Sequence, residues 1–180
     1  MSFRDLPLSI EYRVTQFWRA LGARVQTTEF RVLERYLTPQ QQALFKSMAL
    51  SDQRHGLDVF WALQRQGYRD VELLQAALLH DVGKGSGTLR LWHRVAIVLM
   101  RVLSPSLVDK IACRRPDSWR YPFFLYQHHP IDGARLAQEA GCSPLVAALI
   151  REHQNPVPHD WQGTQKGRLL VALQRADTEC

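Results

Sequence analysis

The stretch VELLQAALLHDVGK, residues 71–84, constrains the chain more than any other. Leu73, Ala76, Ala77 and His80 recur at i, i+3, i+4 and i+7, so the histidine shares one helix face with apolar residues. Asp70 suits the N-cap and Glu72 the first turn. Gly83 suits the helix C-terminus, and Gly85 and Gly87 continue the break. An imidazole and a carboxylate, His80 and Asp81, thus stand together at a core-facing helix end, with the Lys84 ammonium just beyond. Burying a charged carboxylate is costly unless it is paired or bound to a metal. The rest of the chain has to supply that partner.

The flanking segments read as further helices. Within 9–35, Val14, Phe17, Trp18 and Leu21 form one apolar stripe, and Phe30, Leu33 and Leu37 make a second. Thr38-Pro39 reads as N-cap and N1 of a short helix to about Met48. Ser51 or Asp52 opens the next, which carries His55 on its apolar side and closes at Gly67. Residues 89–103 follow as a helix, Pro105 ends it, 106–112 form a short one, and 114–122 are loop. Pro130 suits N1 of a helix running to about Ala140, which puts His129 at its N-cap. Ser143-Pro144 starts another, with Val146, Leu149, Ile150 and His153 in helical register. Residues 155–163 are loop, and Thr164 opens a last helix whose Leu169, Leu170, Leu173 and Asp177 share a face. No segment alternates with period two, so the expectation is a compact all-α bundle of seven to nine helices.

Composition bounds the setting. A chain of 180 residues with 46% hydrophobic content suggests one domain with a sizeable core. No apolar stretch approaches the ~20 residues that span a bilayer, and residues 1–13 lack a signal-peptide apolar run. Three widely spaced cysteines (Cys113, Cys142, Cys180) make no disulfide framework, so a reduced cytoplasmic location is expected. Residues 84–120 hold eight Lys/Arg against Asp109 and Asp117, which equals the whole net charge of +6. This segment is either a solvated basic face or a surface that attracts phosphates, nucleic acid or anionic lipid. In the 89–103 helix, Arg90, Arg94 and Arg101 fall within about 40° of one another, and nearly everything else is apolar. It reads first as a core or homodimer-interface helix, and second as a peripheral membrane contact.

A single histidine on an apolar face is ordinarily a hydrogen-bonded core residue. Here His55, His80, Asp81, His129, His153 and Asp177 all come from helix ends or apolar faces of different helices. Buried imidazoles and carboxylates in such numbers call for a common counter-charge, which a divalent metal centre supplies. Imidazole with carboxylate and no thiolate suits Mn, Fe, Zn or Ni.

The order His55, His80-Asp81, Asp177, with Lys84 completing HDVGK, resembles the HD-domain superfamily of metal-dependent phosphohydrolases, from about Asp52 to Asp177. The resemblance implies an HD-type unit over 51–180, with 1–50 a helical extension packed on the same core. It implies that His55, His80, Asp81 and Asp177 bind a first metal. HHPIDGARLA and His153 are similar to the extra histidines of two-metal members, which would place His129 and His153 on a second metal with Asp81 bridging. His128 rivals His129 as that ligand, or contacts substrate. Asp81 and Lys84 are the implied catalytic residues, with Lys84 stabilising negative charge on a bound phosphate or assisting proton movement. The implied activity is hydrolysis of a nucleotide or other small phosphate ester by metal-activated water. The stretch Arg151-Glu152-His153-Gln154-Asn155-Pro156 lacks the paired histidines and Gly-Tyr-Pro of the cyclic-di-GMP phosphodiesterase branch, so that substrate does not carry over. A non-catalytic metal or nucleotide sensor is the alternative reading.

Rival motifs fail. A P-loop around Gly83-Lys84 needs glycine at 78 and Ser or Thr at 85, where the chain has Leu78 and Gly85. The Gly85-Ser86-Gly87 run lacks the glycine pattern of a nucleophile elbow, and no HExxH occurs.

Overall fold

The computed structural model describes residues 29–85, 93, 96, 97, 100 and 110–180. Among these, seven α-helices and two 3-10 turns occur and no strand. They are α1 (Phe30–Tyr36), α2 (Pro39–Lys46), α3 (Leu50–Arg65), α4 (Val71–Leu79), α5 (Tyr121–Glu139), α6 (Pro144–Glu152) and α7 (Gln165–Glu179). The 3-10 turns cover Val82–Lys84 and His159–Trp161. The expected all-α helix bundle is what the chain forms.

Helix α4 is the axis. Its Leu73, Leu74, Ala76, Ala77, Leu78 and Leu79 are completely buried, which is the pattern of a helix covered on all sides. It touches α1, α2, α3, α6 and α7. Each buried leucine contributes roughly 1.5–3 kcal/mol. The core is continuous across position 50, with Leu33, Leu37, Phe45 and Met48 in the same cluster as Leu57, Leu78 and Leu170.

Short polar side chains set the helix starts. Asp70 accepts from Leu73 N at 3.0 Å, Ser143 from Val146 N at 3.3 Å and Thr164 from Gly167 N at 3.2 Å. Thr38 and Gln41 form a reciprocal capping box ahead of Pro39.

Several boundaries differ from the sequence expectation. Helix α3 starts at Leu50 behind Ala49, one or two residues early, and Asp52 lies buried in its first turn. Helix α4 ends at Leu79, because the chain leaves helical register at His80-Asp81 and tightens into the 3-10 turn. Gly83 is therefore no helix cap; the positive φ of 68° belongs to Gly85. The 155–163 segment is loop apart from the turn at His159–Trp161.

The largest correction is α5, which begins nine residues before Pro130, with Pro122 in its first turn. Pro130 thus sits inside a helix, where proline ordinarily costs ~3 kcal/mol, and His129 is not an N-cap. Of the expected 89–103 helix, His93, Ala96, Ile97 and Met100 are described and helical. They fall at i, i+3, i+4 and i+7; Ile97 and Phe123 form a small buried cluster against which Ala96, Met100 and Tyr126 pack, and the His93 ring lies 6.2 Å from that of Phe123. The Arg90, Arg94 and Arg101 stripe, the stripe from Val14 to Leu21, and the start of the 106–112 helix lie outside the described residues. No described helix is long and apolar enough to cross a membrane.

Gly83 does its work by being small. A Cβ there would stand 2.0 Å from the His129 carbonyl oxygen and 2.6 Å from Gly133 N. These are backbone atoms and cannot swing aside. The 3-10 turn and α5 approach this closely only because position 83 is glycine; a Cβ at Gly133 would meet its nearest atoms at 3.2 Å. We predict that Gly83→Ala destabilises the protein by more than about 3 kcal/mol in urea unfolding, through overpacking against backbone. Unchanged stability would show that the contact is not tight.

Candidate metal centre

The site is assembled from five helices around the step at the end of α4. His55 comes from α3, beside Gly56, whose added Cβ would stand 2.9 Å from the Leu78 carbonyl oxygen. That close helix approach sets the His55 and His80 rings 5.1 Å apart, centre to centre. His80 and Asp81 follow the last residue of α4. His129 projects from α5 where that helix presses on Gly83. His153 is the C-cap of α6, and Asp177 lies in the last turn of α7.

Asp81 is the hub. Its Oδ1 lies 3.4 Å from His129 Nε2 and 3.9 Å from His153 Nε2. Its Oδ2 lies 3.6 Å from His80 Nε2 and accepts a short hydrogen bond from Lys84 Nζ. On the other side of His80, Asp177 Oδ1 is 3.5 Å from His80 Nε2 and 2.7 Å from His55 Nε2. The Nε2 atoms of His129 and His153 are 3.4 Å apart. Two groups therefore have ligand spacing, His55–His80–Asp81 and Asp81–His129–His153, and they share Asp81.

Three of the imidazoles are oriented in the same way. Nδ1 of His80 points at Ala77 O (2.9 Å), that of His129 at Tyr126 O (2.6 Å) and that of His153 at Ile150 O (2.7 Å). A carbonyl can only accept, so each Nδ1 carries the hydrogen and Nε2 faces the cluster. Ala77 and Ile150 belong to the last turns of their helices, where carbonyls lack intrahelical donors.

Burial divides the site. His80, Asp81, His129 and His153 are buried. The side chains of His55 and Asp177 keep 21% and 26% of their exposure, so solvent reaches the site from that side. Burial drives the His153 imidazole down to about 3, and the neighbouring His80 and His129 add to this. Burial likewise lowers His129, against the pull of Asp81. Burial also opposes charge on His80, but the Asp81 and Asp177 carboxylates outweigh it and raise the imidazole to about 9. Asp81 is held well below the usual carboxylate range despite its burial, by Lys84 and His80; Asp177 is held low by His55 and His80.

The donors fit a divalent ion. Ligand bonds of about 2.0–2.2 Å place neighbouring donors about 3–3.5 Å apart, close to the separations here. His80 Nε2 is buried with no hydrogen-bond partner. It faces two carboxylate oxygens at distances too long for hydrogen bonds and suited to an ion between them. These buried His and Asp groups can hold a metal ion.

His128 lies outside both groups. Its ring stacks on Phe124 at 3.9 Å, and Nδ1 meets Phe124 O at 3.1 Å. The structure brings His129, not His128, to Asp81. The sequence reading missed Gly56, Gly83 and Gly133 as the points of helix approach and took Pro130 for a helix start. Their only trace was small residues and a proline within four positions of the histidines. The chain matches no protein-family model, no curated protein and no solved structure.

The charge pattern predicts a pH response. His80 rises from 6.5 to about 9 on folding, so its stabilisation is complete below pH 6.5 and is lost as pH rises through 9. A shift of that size is worth roughly 3 kcal/mol. His153, held at about 3, acts in the opposite sense and removes stability as pH falls below 6.5. With chelator present, urea unfolding should show greatest stability near neutrality and a loss between about pH 7 and 9.5. Saturating divalent metal, which replaces the His80 proton, should abolish the alkaline loss. A flat alkaline limb without metal would contradict the assignment.

Proposed function

We propose that this chain is a metal-dependent phosphohydrolase of the HD-domain type, acting on a nucleotide or another small phosphate ester. The observation that supports it most is the sharing of Asp81 between two groups of ligand spacing, with Lys84 on the same carboxylate. The order of residues in the chain, His55, His80-Asp81 and Asp177, is the order the superfamily resemblance requires.

His55, His80, Asp81 and Asp177 would hold one divalent ion, and Asp81, His129 and His153 a second. Such ions, of the Mn, Fe, Ni or Zn type, supply Lewis acidity that lowers the pKa of water and offsets charge on phosphoryl oxygens. The chain's own residues do the rest. A phosphate enters from the partly exposed His55–Asp177 side. Lys84 releases Asp81 and turns its ammonium to a phosphoryl oxygen, where developing negative charge needs a donor. The buried imidazoles keep bulk water away from the far side. Water oxygen bonds to phosphorus as the ester P–O bond breaks, and the proton that the water gives up passes to the departing oxygen. Lys110, Arg114 and Arg115, exposed on the segment preceding α5, favour the approach of an anion.

Purified protein supplied with Mn²⁺ or Fe²⁺ should hydrolyse a generic phosphodiester or nucleotide. Asp81→Ala should reduce this to background, and Lys84→Ala should lower kcat by about 100–1,000-fold. Circular dichroism checks that both variants fold. Activity retained by Asp81→Ala would refute the proposal, and tight nucleotide binding without turnover would favour a non-catalytic sensor.

A further inference from the structure

Pro130 stands in the middle of α5, and that position carries an inference about how His129 is aimed. In an α-helix the N–H of residue i donates to the carbonyl of residue i−4. For Tyr126 the donor would be residue 130, which is proline and has none. The Tyr126 carbonyl instead receives His129 Nδ1 at 2.6 Å, the shortest of the imidazole–carbonyl contacts in the cluster.

We infer that Pro130 is a positioning residue: by withholding a backbone N–H it leaves the Tyr126 carbonyl to His129, which fixes the ring with Nε2 toward Asp81 and His153. This rests on the metal-centre reading above. His80 and His153 reach the same arrangement without help, because Ala77 and Ile150 lie in terminal helix turns. His129 has no helix end available, since α5 continues to Glu139. At mid-helix the proline removes the one backbone N–H, that of residue i+4, which a regular helix would direct at this carbonyl.

The neighbouring residue serves as an internal comparison. His128 also turns Nδ1 to a carbonyl, but Phe124 O is an ordinary helix acceptor four residues back, and the contact is 3.1 Å. The backbone of His129 has little room to compensate, because Gly83 is pressed against its carbonyl. Ring orientation is then the remaining freedom. Neutral imidazole in water prefers its hydrogen on Nε2, the wrong nitrogen for a ligand here. The Tyr126 carbonyl reverses that preference.

The test is Pro130→Ala in the full chain. Alanine restores the N–H, which should take the Tyr126 carbonyl, and favours the helix, so the metal-free variant should melt higher than the parent. Long-range ¹H–¹⁵N correlation spectra of the metal-free proteins should show His129 with its hydrogen on Nδ1 in the parent and shifted toward Nε2 in the variant. Calorimetric titration with Mn²⁺ or Zn²⁺ should show affinity at the His129 side falling about 10–100-fold, the usual effect of losing a partner that orients a ligand. A proline with a purely structural role would move stability and affinity in the same direction. Pro130→Gly restores the same N–H with a smaller gain in helix preference than alanine gives and should reproduce the change in the ring.

An unchanged His129 tautomer with parental metal affinity overturns the inference. If the parent binds no divalent metal, the metal-centre reading fails and the positioning role with it. The spectra of the metal-free proteins still distinguish that failure, because they report on the ring without any ion.

Discussion

Everything at the centre of this molecule follows from a buried carboxylate. Asp81 is 3% exposed, at the end of a helix whose inward residues are all apolar. A bare negative charge in that position would be driven out or neutralised. It persists because Lys84 reaches it along the 3-10 turn and because His80, His129 and His153 converge on it from three helices. Asp177 repeats the arrangement one step outward, between His80 and His55. Charges of both signs are thereby packed where water is scarce, and replacement of their protons by one or two dications is the natural resolution.

A single backbone device sets the ligand geometry. Imidazole Nδ1 is tied to a carbonyl three residues back, and Nε2 is thrown forward. Helix ends provide such carbonyls at His80 and His153. At His129 the helix runs on, and the adjacent proline supplies what a helix end would have supplied. Close packing then converts local aim into convergence. Gly56 lets α3 lie against α4, and Gly83 lets α5 lie against the 3-10 turn. The motif HDVGK thus carries two side chains with ligand spacing, a contact that only glycine permits, and a counter-ion in one pass of chain.

Much of this could be read from residues alone, for identifiable reasons. Helical periodicity put His80, His153 and Asp177 on apolar faces, and the side-chain caps at Thr38, Asp70, Ser143 and Thr164 are local signals. What the sequence concealed depends on partners far along the chain. Proline after a polar residue is a helix-start signal, and it misled at Pro130 because the Tyr126 carbonyl had found a side-chain donor. Gly83 resembles a helix stop, and its role appears only when α5 is laid across it. The choice between His128 and His129 turns on which side of α5 faces Asp81, and uncertainty about where that helix begins hides it. The absence of any matching family model leaves these residues as the whole basis for the functional reading.

The central claim is that a dication belongs between His80 Nε2 and the carboxylates of Asp81 and Asp177. Anomalous diffraction at the metal absorption edge, from crystals grown with that metal, tests this most directly. The account predicts a peak about 2.0–2.2 Å from those ligand atoms. An empty space there, with His80 hydrogen-bonded directly to a carboxylate while metal is bound elsewhere on the protein, would contradict it.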